Sequence, residues 1–415
     1  GLHLGTGTTL HQFNLLSSTE TTGTFPYLTY TSASFRLKLG HGTNEYSAQS
    51  QTSGGTIFST NTIDVGTQLL HSALTTPTTF DTYANGVGTS QSATLTVNLL
   101  SSTSFGRSGN AYLSCTAQEF VFWNADQSSN RAGIEENINS DYLIYQPTDA
   151  PTSGLLADYT GAAAAYSVRQ LSDKAVIALR VRRDSDDVEQ NIGFDANGDL
   201  DSQAISDFCS TANGYVTRWW DQSTNGNHAD QATDASQPQI YNGTAVITEN
   251  GKAAVKFDGS NDTLKAQFAS VKTQPNQIVS VIKNDTTNFP TGGFRVIYSG
   301  FNNSSARHQL EALQSTGYLN MYAGGSNLSS TVIPTTQTLL NNLVDGVSSE
   351  MFLNGTSIAQ SDAGSFALDG FTIGARFSNQ YFFEGVFQEL ILWNADQSSN
   401  RTGIETDINT YFSIY

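Results

Sequence analysis

The apolar residues of this chain occur mostly in short runs, or alternate with polar residues, over lengths typical of β-strands. Residues 95–99 and 278–282 are two such stretches. Turn-forming Asn-Gly pairs, for example at 85–86 and 354–355, separate the stretches from one another. Many short strands divided by such turns predict an antiparallel sandwich or jelly roll.

One segment of the chain occurs twice. Residues 123–145 and 393–415 are identical at 16 of 23 positions and lie 270 residues apart. Weaker similarity continues upstream, where residues 83–86 correspond to residues 352–355. The repeating units of a solenoid are about 20–50 residues long. The larger spacing therefore indicates duplicated domains.

The repeated segment has its own local pattern. An apolar strand, residues 119–123 or 389–393, is followed by the sequence DQSSNR, in which Asp126 or Asp396 occupies a predicted N-cap. The apolar residues that follow recur every four positions and predict one face of a short helix: Ile134, Ile138 and Tyr142 in the first copy, and Ile404, Ile408 and Phe412 in the second. We interpret DQSSNR as a capping turn; the alternative is a ligand loop.

The middle of the chain differs from both copies. Residues 201–209 predict a short helix capped by Asp201, with Ile205 and Phe208 facing inward. The Pro- and Thr-containing residues 146–154 are typical of a linker. We therefore expect a jelly roll at 1–146, a linker at 147–160, a small mixed α/β insert at 161–236, and a second jelly roll at 237–415.

The net charge and the low fraction of charged residues exclude several classes of protein. The 415 residues include 19 Lys and Arg against 37 Asp and Glu, giving a net charge of −18. Charged residues make up 13%, against about 25% in typical soluble proteins. This composition argues against a coiled coil or a charged disordered chain, and the acidic balance argues against nucleic-acid binding. No stretch approaches the roughly 20 apolar residues that a membrane span requires.

The two cysteines, Cys115 and Cys209, do not form a disulfide framework. We expect two buried free thiols, although a single bridge between them is the alternative. The six histidines show no metal-ligand spacing, and no nucleophile-elbow, phosphate-loop or dinucleotide motif is present.

Several motifs of the second copy resemble those of a known fold family. Residues 257–262 read FDGSND, an Asn-Gly hairpin follows at 354–355, and residues 371–374 read FTIG. This order resembles a concanavalin A-like, laminin-G-type jelly roll over residues 237–415, and less completely over 1–145. The resemblance implies an all-β protein with tandem jelly-roll sandwiches.

The middle segment resembles a second family. Residues 165–169 read AYSVR, residues 185–187 read SDD, and residues 220–227 read WDQSTNGN. These motifs resemble the N-terminal part of the arabinofuranosidase B catalytic domain, and a region that precedes such jelly rolls in marine phage structural proteins. The two cysteines do not reproduce the disulfides of the enzyme, and no catalytic role is carried over from it.

The duplication also predicts an incomplete first domain. Residue 1 aligns near residue 271, so the first copy lacks counterparts of residues 257–264, which should form an early strand. A jelly roll without that strand has an unpaired edge. We expect the edge to be filled by residues encoded upstream, or by a strand from another chain.

An acidic stretch is a candidate cation site. Asp195, Asn197, Asp199 and Asp201 place oxygen donors at alternating positions around Gly198. Calcium prefers six to eight oxygen ligands, and alternating Asp and Asn on a tight turn can supply several of them. The glycine is not at the position that an EF-hand requires. The alternatives are therefore a calcium site and a hydrogen-bonded turn that caps the next helix.

Two adjacent tryptophans mark a candidate carbohydrate site. On a strand, Trp219 and Trp220 point to opposite faces, so that one can pack in the core while the other stacks on a sugar ring. Asp221, Asn225, Asn227 and His228 follow within the next eight residues and offer polar groups for sugar hydroxyls. The alternative is that both tryptophans are core residues.

These observations predict a non-enzymatic structural and adhesive protein. We expect it on the exterior of a virion, as a phage appendage or capsid decoration, where tandem lectin-like folds bind surface glycans weakly and multivalently. Its expected partners are other copies, or other structural proteins of the assembly. The alternatives are a glycoside hydrolase of the arabinofuranosidase type, a bacterial cell-surface adhesin and a purely architectural subunit.

Overall fold

The computed structural model describes residues 10–18, 28–30, 68–75, 79–92, 103–105, 107–108, 111–112, 115–123, 125–286, 294–313 and 316–415. The chain divides into two compact units, Gly1–Tyr145 and Gln146–Tyr415. Most elements in both units are β-strands, so the prediction of an all-β fold is confirmed. No helix among these residues is long and apolar enough to cross a membrane.

The first unit contains nine described strands and one helix. They are β1 (Leu10–Ser18), β2 (Leu28–Tyr30), β3 (Gln68–Thr75), β4 (Thr79–Ala84), β5 (Val87–Ser92), β6 (Thr103–Phe105), β7 (Arg107–Ser108), β8 (Ala111–Tyr112), β9 (Cys115–Trp123) and α1 (Arg131–Tyr142).

Five strands of the first unit form an antiparallel sheet in the order β5-β4-β3-β1-β9. The Asn85-Gly86 pair joins β4 to β5, and both residues have positive φ angles, as a tight hairpin turn requires. The Asn85 side-chain oxygen also accepts the Leu70 N–H at 3.0 Å, which fixes the turn to β3. Residues 95–99, a predicted strand, lie outside the described residues.

The second unit is larger. Its strands are β10 (Ala162–Ser167), β11 (Leu179–Arg183), β12 (Glu189–Ile192), β13 (Asn213–Trp219), β14 (Ala229–Asp230), β15 (Gln239–Asn242), β16 (Thr248–Glu249), β17 (Lys252–Ala253), β18 (Val255–Asp258), β19 (Leu264–Lys272), β20 (Asn276–Asn284), β21 (Arg295–Ser299), β22 (Gln309–Ala312), β23 (Tyr318–Tyr322), β24 (Ser326–Val332), β25 (Thr338–Val344), β26 (Glu350–Leu353), β27 (Thr356–Gln360), β28 (Leu368–Ile373) and β29 (Glu384–Trp393). Its helices are α2 (Leu155–Asp158), α3 (Ser202–Cys209) and α4 (Arg401–Phe412), with 3₁₀ turns at Asp234–Ser236 and Gly346–Ser348.

Two runs of antiparallel strands build the second unit. One run has the order β27-β26-β25-β20-β29, and both β10 and β18 pair with the other edge of β29. The other run has the order β24-β23-β22-β21-β28-β19-β14-β13-β11-β12. Strand β15 pairs with both β13 and β18 and so links the two runs. A single apolar core receives residues from both runs, as in a β-sandwich.

The duplication is visible in three dimensions. The order β5-β4-β3-β1-β9 of the first unit repeats as β27-β26-β25-β20-β29 in the second. In both copies one buried glutamate links the repeated helix to the sheet. In the first unit Glu135 pairs with Arg131 and accepts a hydrogen bond from the Ser72 hydroxyl. Its counterpart in the second unit, Glu405, pairs with Arg401 and accepts a hydrogen bond from the Asn341 side-chain amide. The repeated sequence therefore encodes the same strand-and-helix arrangement in both units.

The repeated helices begin four residues later than the N-cap prediction. The N-cap residues are Asn130 and Asn400 rather than Asp126 and Asp396. The Asp126 carboxylate instead accepts the Ser128 N–H at 2.7 Å and forms a turn ahead of the helix. The DQSSNR segment therefore forms a turn ahead of the helix, as interpreted, but the predicted N-cap residue is wrong. The predicted apolar stripe is buried in the second unit at Ile404, Ile408 and Phe412. In the first unit Ile138 is buried, while Ile134 and Tyr142 are half-buried.

The predicted insert is not a separate subdomain. Strand β10 pairs with β29 along the 389–393 segment, so residues 161–236 share a sheet with the second jelly roll. The predicted linker also belongs to this unit, because Leu155 and Leu156 of α2 lie in its core. Long-range strand pairing sets the boundary of this unit. The predicted boundaries differ because local composition does not report such pairing.

Two smaller features follow the sequence pattern. The Asp201 carboxylate accepts the Ala204 N–H at 2.9 Å and caps α3, whose Ile205 side chain is fully buried. Cys209 is a buried free thiol. The side chain of Cys115 lies outside the described residues.

Candidate functional site

The predicted carbohydrate site lies at the end of β13 and in the loop after it. Trp219 is fully buried, and its ring lies 6.2 Å from that of Tyr166. Its indole N–H donates to the Ser167 carbonyl at 3.3 Å. Trp219 is therefore a core residue, as the alternative interpretation stated.

Asp221 is also enclosed in the fold. Its carboxylate accepts the backbone N–H groups of Ala165 at 2.8 Å, Ser223 at 2.9 Å and Asn227 at 2.9 Å. Burial raises the pKa of Asp221, although these hydrogen bonds oppose the shift. The carboxylate closes its own loop and ties that loop to β10.

Asn225 and Asn227 also connect this loop to β10. Asn225 donates its side-chain N–H to the Ala162 carbonyl at 2.9 Å, and Asn227 donates to the Ala163 carbonyl at 2.8 Å. The Tyr166 hydroxyl donates back to the Asn227 carbonyl at 2.5 Å. Residues 221–228 therefore form a clasp loop that holds β10. The Asp221 carboxylate and the side-chain amides of Asn225 and Asn227, which were predicted to bind a sugar, thus make hydrogen bonds within the protein.

Trp220 and His228 remain nearer the surface. The Trp220 side chain packs edge-on against His228, with 4.5 Å between ring centroids, and the Arg180 and Arg218 guanidinium groups lie over its ring at 5.6 and 5.0 Å. Burial lowers the pKa of His228 to about 4, so the imidazole is neutral at pH 7. Its Nδ1 accepts the Asp221 N–H at 3.1 Å. Trp220 is 6% exposed, which leaves little of its face for stacking on a sugar.

The predicted calcium ligands do not converge. The Asp195 carboxylate accepts the N–H groups of Asn197 at 2.8 Å and Asp199 at 3.0 Å, which is the geometry of a hydrogen-bonded turn. The Asp199 carboxylate turns away to the Lys252 ammonium at 3.0 Å and the Tyr411 hydroxyl.

Asp201, the last of the predicted calcium ligands, caps α3 as described above. Across the described ranges, no group of three or more His, Cys, Asp or Glu side chains is arranged to hold a metal ion. The geometry favours the capping turn, and calcium binding stays a prediction.

A different part of the second unit forms an open polar cleft, which we call the acidic cleft. Its volume is about 440 Å³. Its walls come from the ends of β11, β13, β15 and β18 and from the 3₁₀ turn before β15. The lining residues are Arg182, Asp184, Tyr215, Asp234, Ala235, Gln237, Gln239, Lys256, Asp258 and Asp262.

Asp262 is the most perturbed acid in this cleft. The residue is 7% exposed, and burial together with the nearby Asp258 carboxylate raises its pKa to about 7. One carboxylate oxygen accepts the Asp258 N–H at 2.9 Å. Asp262 therefore retains its proton at a much higher pH than an ordinary aspartate does. A carboxylic acid that is protonated near pH 7 beside other carboxylates is a candidate general acid.

The opposite wall supplies cationic and aromatic groups. The Arg182 guanidinium lies 5.4 Å from the Tyr215 ring centre, donates to the Gln237 side chain at 2.7 Å, and pairs with Asp187 at 2.7 Å. These contacts hold Tyr215 half-buried at the cleft surface. An aromatic face beside amide and carboxylate groups is a suitable surface for a sugar ring.

Sequence reasoning placed Asp258 and Asp262 in the FDGSND motif but gave them no chemical role. Two aspartates four residues apart around a glycine turn were the available signal. The burial that shifts the Asp262 pKa arises from β13, β15 and β18 meeting at this point, which the motif alone does not report.

A second buried carboxyl lies elsewhere in the unit. Glu311 in β22 accepts the side-chain N–H of Asn320 at 2.9 Å and that of Gln309. Burial raises the Glu311 pKa, although Arg307 and Arg376 oppose the shift. Glu311 is an alternative candidate for the general acid. Its carboxylate is buried and both of its oxygens accept hydrogen bonds from side-chain amides, whereas Asp262 lines an open cleft.

Comparison with known proteins gives one family match, which includes this region. Residues 155–326 match the family model described as alpha-L-arabinofuranosidase B, catalytic. All ten residues of the acidic cleft fall inside that range. No curated protein matches the chain.

Among solved structures, a GH54 α-L-arabinofuranosidase soaked with a cyclic sulfate inhibitor is 18% identical, with a TM-score of 0.47. The match covers 60% of this chain and 62% of that chain. The mouse laminin α1 chain domains LG4-5 are 10% identical over 94% of this chain and 84% of that chain, with a TM-score of 0.29. The CBM40 of a Ruminococcus gnavus IT-sialidase, bound to α2,3-sialyllactose, is 17% identical over 31% of this chain and 80% of its own, with a TM-score of 0.26.

These findings correct one prediction. The expectation of a non-enzymatic protein is contradicted by the match of residues 155–326 to the model of a catalytic domain. The predicted phage or virion origin receives no support from the matched proteins.

Proposed function

We propose that the second unit is a glycoside hydrolase of the arabinofuranosidase type and that the acidic cleft is its active site. The observation that carries the proposal is Asp262, a buried acid with a pKa of about 7 at the wall of an open cleft. The match of residues 155–326 to an arabinofuranosidase catalytic-domain model supports the reaction class.

The proposed chemistry assigns two roles to carboxyl groups. Asp262 donates its proton to the oxygen of the glycosidic bond as that bond breaks, which makes the leaving group a neutral alcohol. A second, ionised carboxylate of the cleft either attacks the anomeric carbon or removes a proton from the attacking water. Asp184, Asp234 and Asp258 are the candidates for this second role.

The other cleft residues fit the recognition of a sugar. Tyr215 offers an aromatic face, and the half-buried Gln239 carries a side-chain carbonyl that can accept from a sugar hydroxyl. Lys256, on the same wall, adds a cationic donor. We therefore propose glycans as the binding partners of this unit, and an extracellular location, where polymeric glycans lie.

Hydrolysis of 4-nitrophenyl α-L-arabinofuranoside by the full chain tests the proposal. Asp262→Asn should reduce kcat by about 10²–10⁴-fold, the usual contribution of a general acid. The exposed Asp207 on α3 lies outside the cleft, so Asp207→Asn is a matched control that should retain the activity. The native protein should also lose activity as the pH rises through about 7, because Asp262 must be protonated.

Two results would count against the proposal. If Asp262→Asn kept full activity and Glu311→Gln were inactive, the role of general acid would belong to Glu311. A native chain with no activity above buffer on arabinofuranosides, or on other aryl glycosides, would overturn the assignment as a hydrolase.

A further inference from the structure

Three basic side chains meet at the loop between β28 and β29. The loop turns sharply where the Arg376 N–H donates to the Gln380 carbonyl at 2.9 Å. The guanidinium carbons of Arg307 and Arg376 lie 5.0 and 5.2 Å from the ring centre of Phe377. The Lys265 ammonium donates to the Phe377 carbonyl at 3.1 Å. We call Lys265, Arg307 and Arg376 the basic cluster.

The basic cluster has no acidic partner among the residues that the structure describes. Most of the other Lys and Arg residues of the second unit form ion pairs with Asp or Glu, whereas none of these three does. The stretches of this unit outside the described residues, 287–293 and 314–315, contain no Asp or Glu. In a chain with 37 acidic and only 19 basic residues, a group of three unpaired cations needs a physical explanation.

Arg307 is buried with two unpaired nitrogens. The residue is 7% exposed, and its Nε and Nη1 atoms donate to no acceptor within the described part of the chain. The buried Nε of Arg376 likewise lacks an acceptor there. Burial and the Arg376 charge lower the pKa of Arg307, although Tyr322 and Glu311 oppose the shift. A buried guanidinium without acceptors costs free energy, which an anion bound beside it would recover.

The nearest candidate acceptor within the fold is already engaged. The Glu311 charge acts on Arg307, but no ion pair forms between them. The Glu311 carboxylate instead accepts the side-chain N–H groups of Asn320 at 2.9 Å and of Gln309. The positive charge of the cluster is therefore left for a group from outside the unit.

Aromatic rings hold the two guanidinium groups in place. The Tyr322 ring centre lies 4.8 Å from the Arg307 guanidinium carbon, and the Tyr381 ring centre lies 5.8 Å from that of Arg376. Tyr322, Tyr381 and Arg376 are half-buried, so the cluster reaches the protein surface. A guanidinium group stacked on an aromatic face keeps its N–H groups free to bind an oxyanion.

We propose that the basic cluster is a binding site for an oxyanion, a carboxylate or sulfate group carried by a small ligand such as an acidic sugar. Arg307 donates charge-assisted hydrogen bonds to the anion, and Arg376 and Lys265 add positive charge. The half-buried Tyr322 and Phe377 offer apolar faces to the rest of the ligand. Anion binding here does not require the acidic cleft to be an active site, and it is measured without hydrolysis.

Sodium sulfate and sodium glucuronate are the probes, with sodium chloride at equal ionic strength as the reference. In calorimetric titrations of the full chain, both anions should bind and should compete with each other, and uncharged glucose should displace neither. Arg307→Gln and Arg376→Gln should each weaken anion binding about tenfold or more, the usual effect of removing one charged donor. Arg183 pairs with Asp186 outside the cluster, so Arg183→Gln is a matched control that should leave the affinity unchanged.

Three outcomes would overturn the proposal. One is that neither anion binds up to tens of millimolar concentration. Another is equal affinity in the native protein and in both cluster variants. The third is an equal loss of affinity in Arg183→Gln, which would reveal a general effect of charge. Because Arg376 is half-buried, Arg376→Gln keeps the test decisive if Arg307→Gln fails to fold.

Discussion

Arg169 and Glu389, 220 positions apart in the sequence, form a buried ion pair in the second unit. The guanidinium Nε lies 2.8 Å from one carboxylate oxygen, and Nη2 lies 3.2 Å from the other. Ser167 donates its hydroxyl to the same carboxylate at 2.7 Å. The AYSVR motif and the repeated strand therefore meet at one two-pronged contact. Burial by itself lowers the pKa of Arg169, but the charges of Glu389 and Asp407 outweigh burial and raise this pKa above its ordinary value.

Breaking this pair is expected to destabilise the second unit. Glu389→Gln keeps the shape of the side chain but leaves the buried guanidinium with Asp407 alone. We expect the free energy of unfolding to fall by about 3 kcal/mol, the usual cost of removing one partner of a buried pair. Urea unfolding followed by tryptophan fluorescence measures this, because Trp219, Trp220 and Trp393 lie in the second unit.

The duplication supplies a matched control for that measurement. Glu119→Gln makes the same chemical change at the equivalent position of the first unit, where the residue is half-buried. It should change the free energy of unfolding by less than about 0.5 kcal/mol. Equal effects of the two substitutions would contradict the importance of the Arg169 contact.

Asp221 is expected to be a structural residue rather than a sugar ligand. Asp221→Ala leaves the buried N–H groups of Ala165, Ser223 and Asn227 without their acceptor. We expect a loss of about 3 kcal/mol or more in unfolding free energy, because each unsatisfied buried donor costs about 1–3 kcal/mol. A variant of native stability with altered glycan binding would restore the carbohydrate-site interpretation of the clasp loop.

The stability of the protein should also depend on Asp262. Its pKa in the folded state, about 7, is above the ordinary value of 3.8, so the folded protein holds a proton that the unfolded chain releases. The contribution of this group to stability is therefore complete below about pH 4 and is lost as the pH rises to about 7.

Asp262→Asn remains neutral throughout this pH range. We expect the variant to be more stable than the native protein by up to about 4 kcal/mol at about pH 8, with little difference at about pH 4. Urea midpoints measured across that range check the prediction. A constant difference at all pH values would show that Asp262 does not titrate as described.

The paired glycines of the repeated helices should respond oppositely to alanine. Gly133→Ala is expected to stabilise the first unit by about 0.5–1 kcal/mol, because alanine is the better helix former and the site is open. Gly403→Ala should instead destabilise the second unit by about 1 kcal/mol, because its methyl group displaces the Tyr159 hydroxyl. Thermal unfolding of both variants checks the signs, and the same sign for both would contradict the different surroundings of Gly133 and Gly403.

Local patterns were sufficient for the class of fold and for the individual elements. Alternating apolar residues located β20, and the four-residue spacing of Ile404, Ile408 and Phe412 located α4. Such signals depend on backbone periodicity, which neighbouring residues determine. The helix N-cap was misplaced because Asp126 makes a turn of its own four residues before the actual N-cap, Asn130.

The candidate sites depended on contacts that sequence spacing does not report. Trp219, Asp221 and Asn227 have the residue types of a sugar site, yet the long-range pairing of β10 with β29 places a strand where the ligand was expected. Asp262 became a candidate acid only because three strands bury it and shift its pKa.

The sequence by itself determined the duplication, the all-β class and the short elements, because each follows from identity or periodicity along the chain. Only the tertiary structure decided which side chains are enclosed and which line a cleft. Burial is set by strands that lie far apart in the sequence, as Arg169 and Glu389 do. For the same reason, the repeated motif by itself does not report that β10 and Tyr159 pack against its second copy.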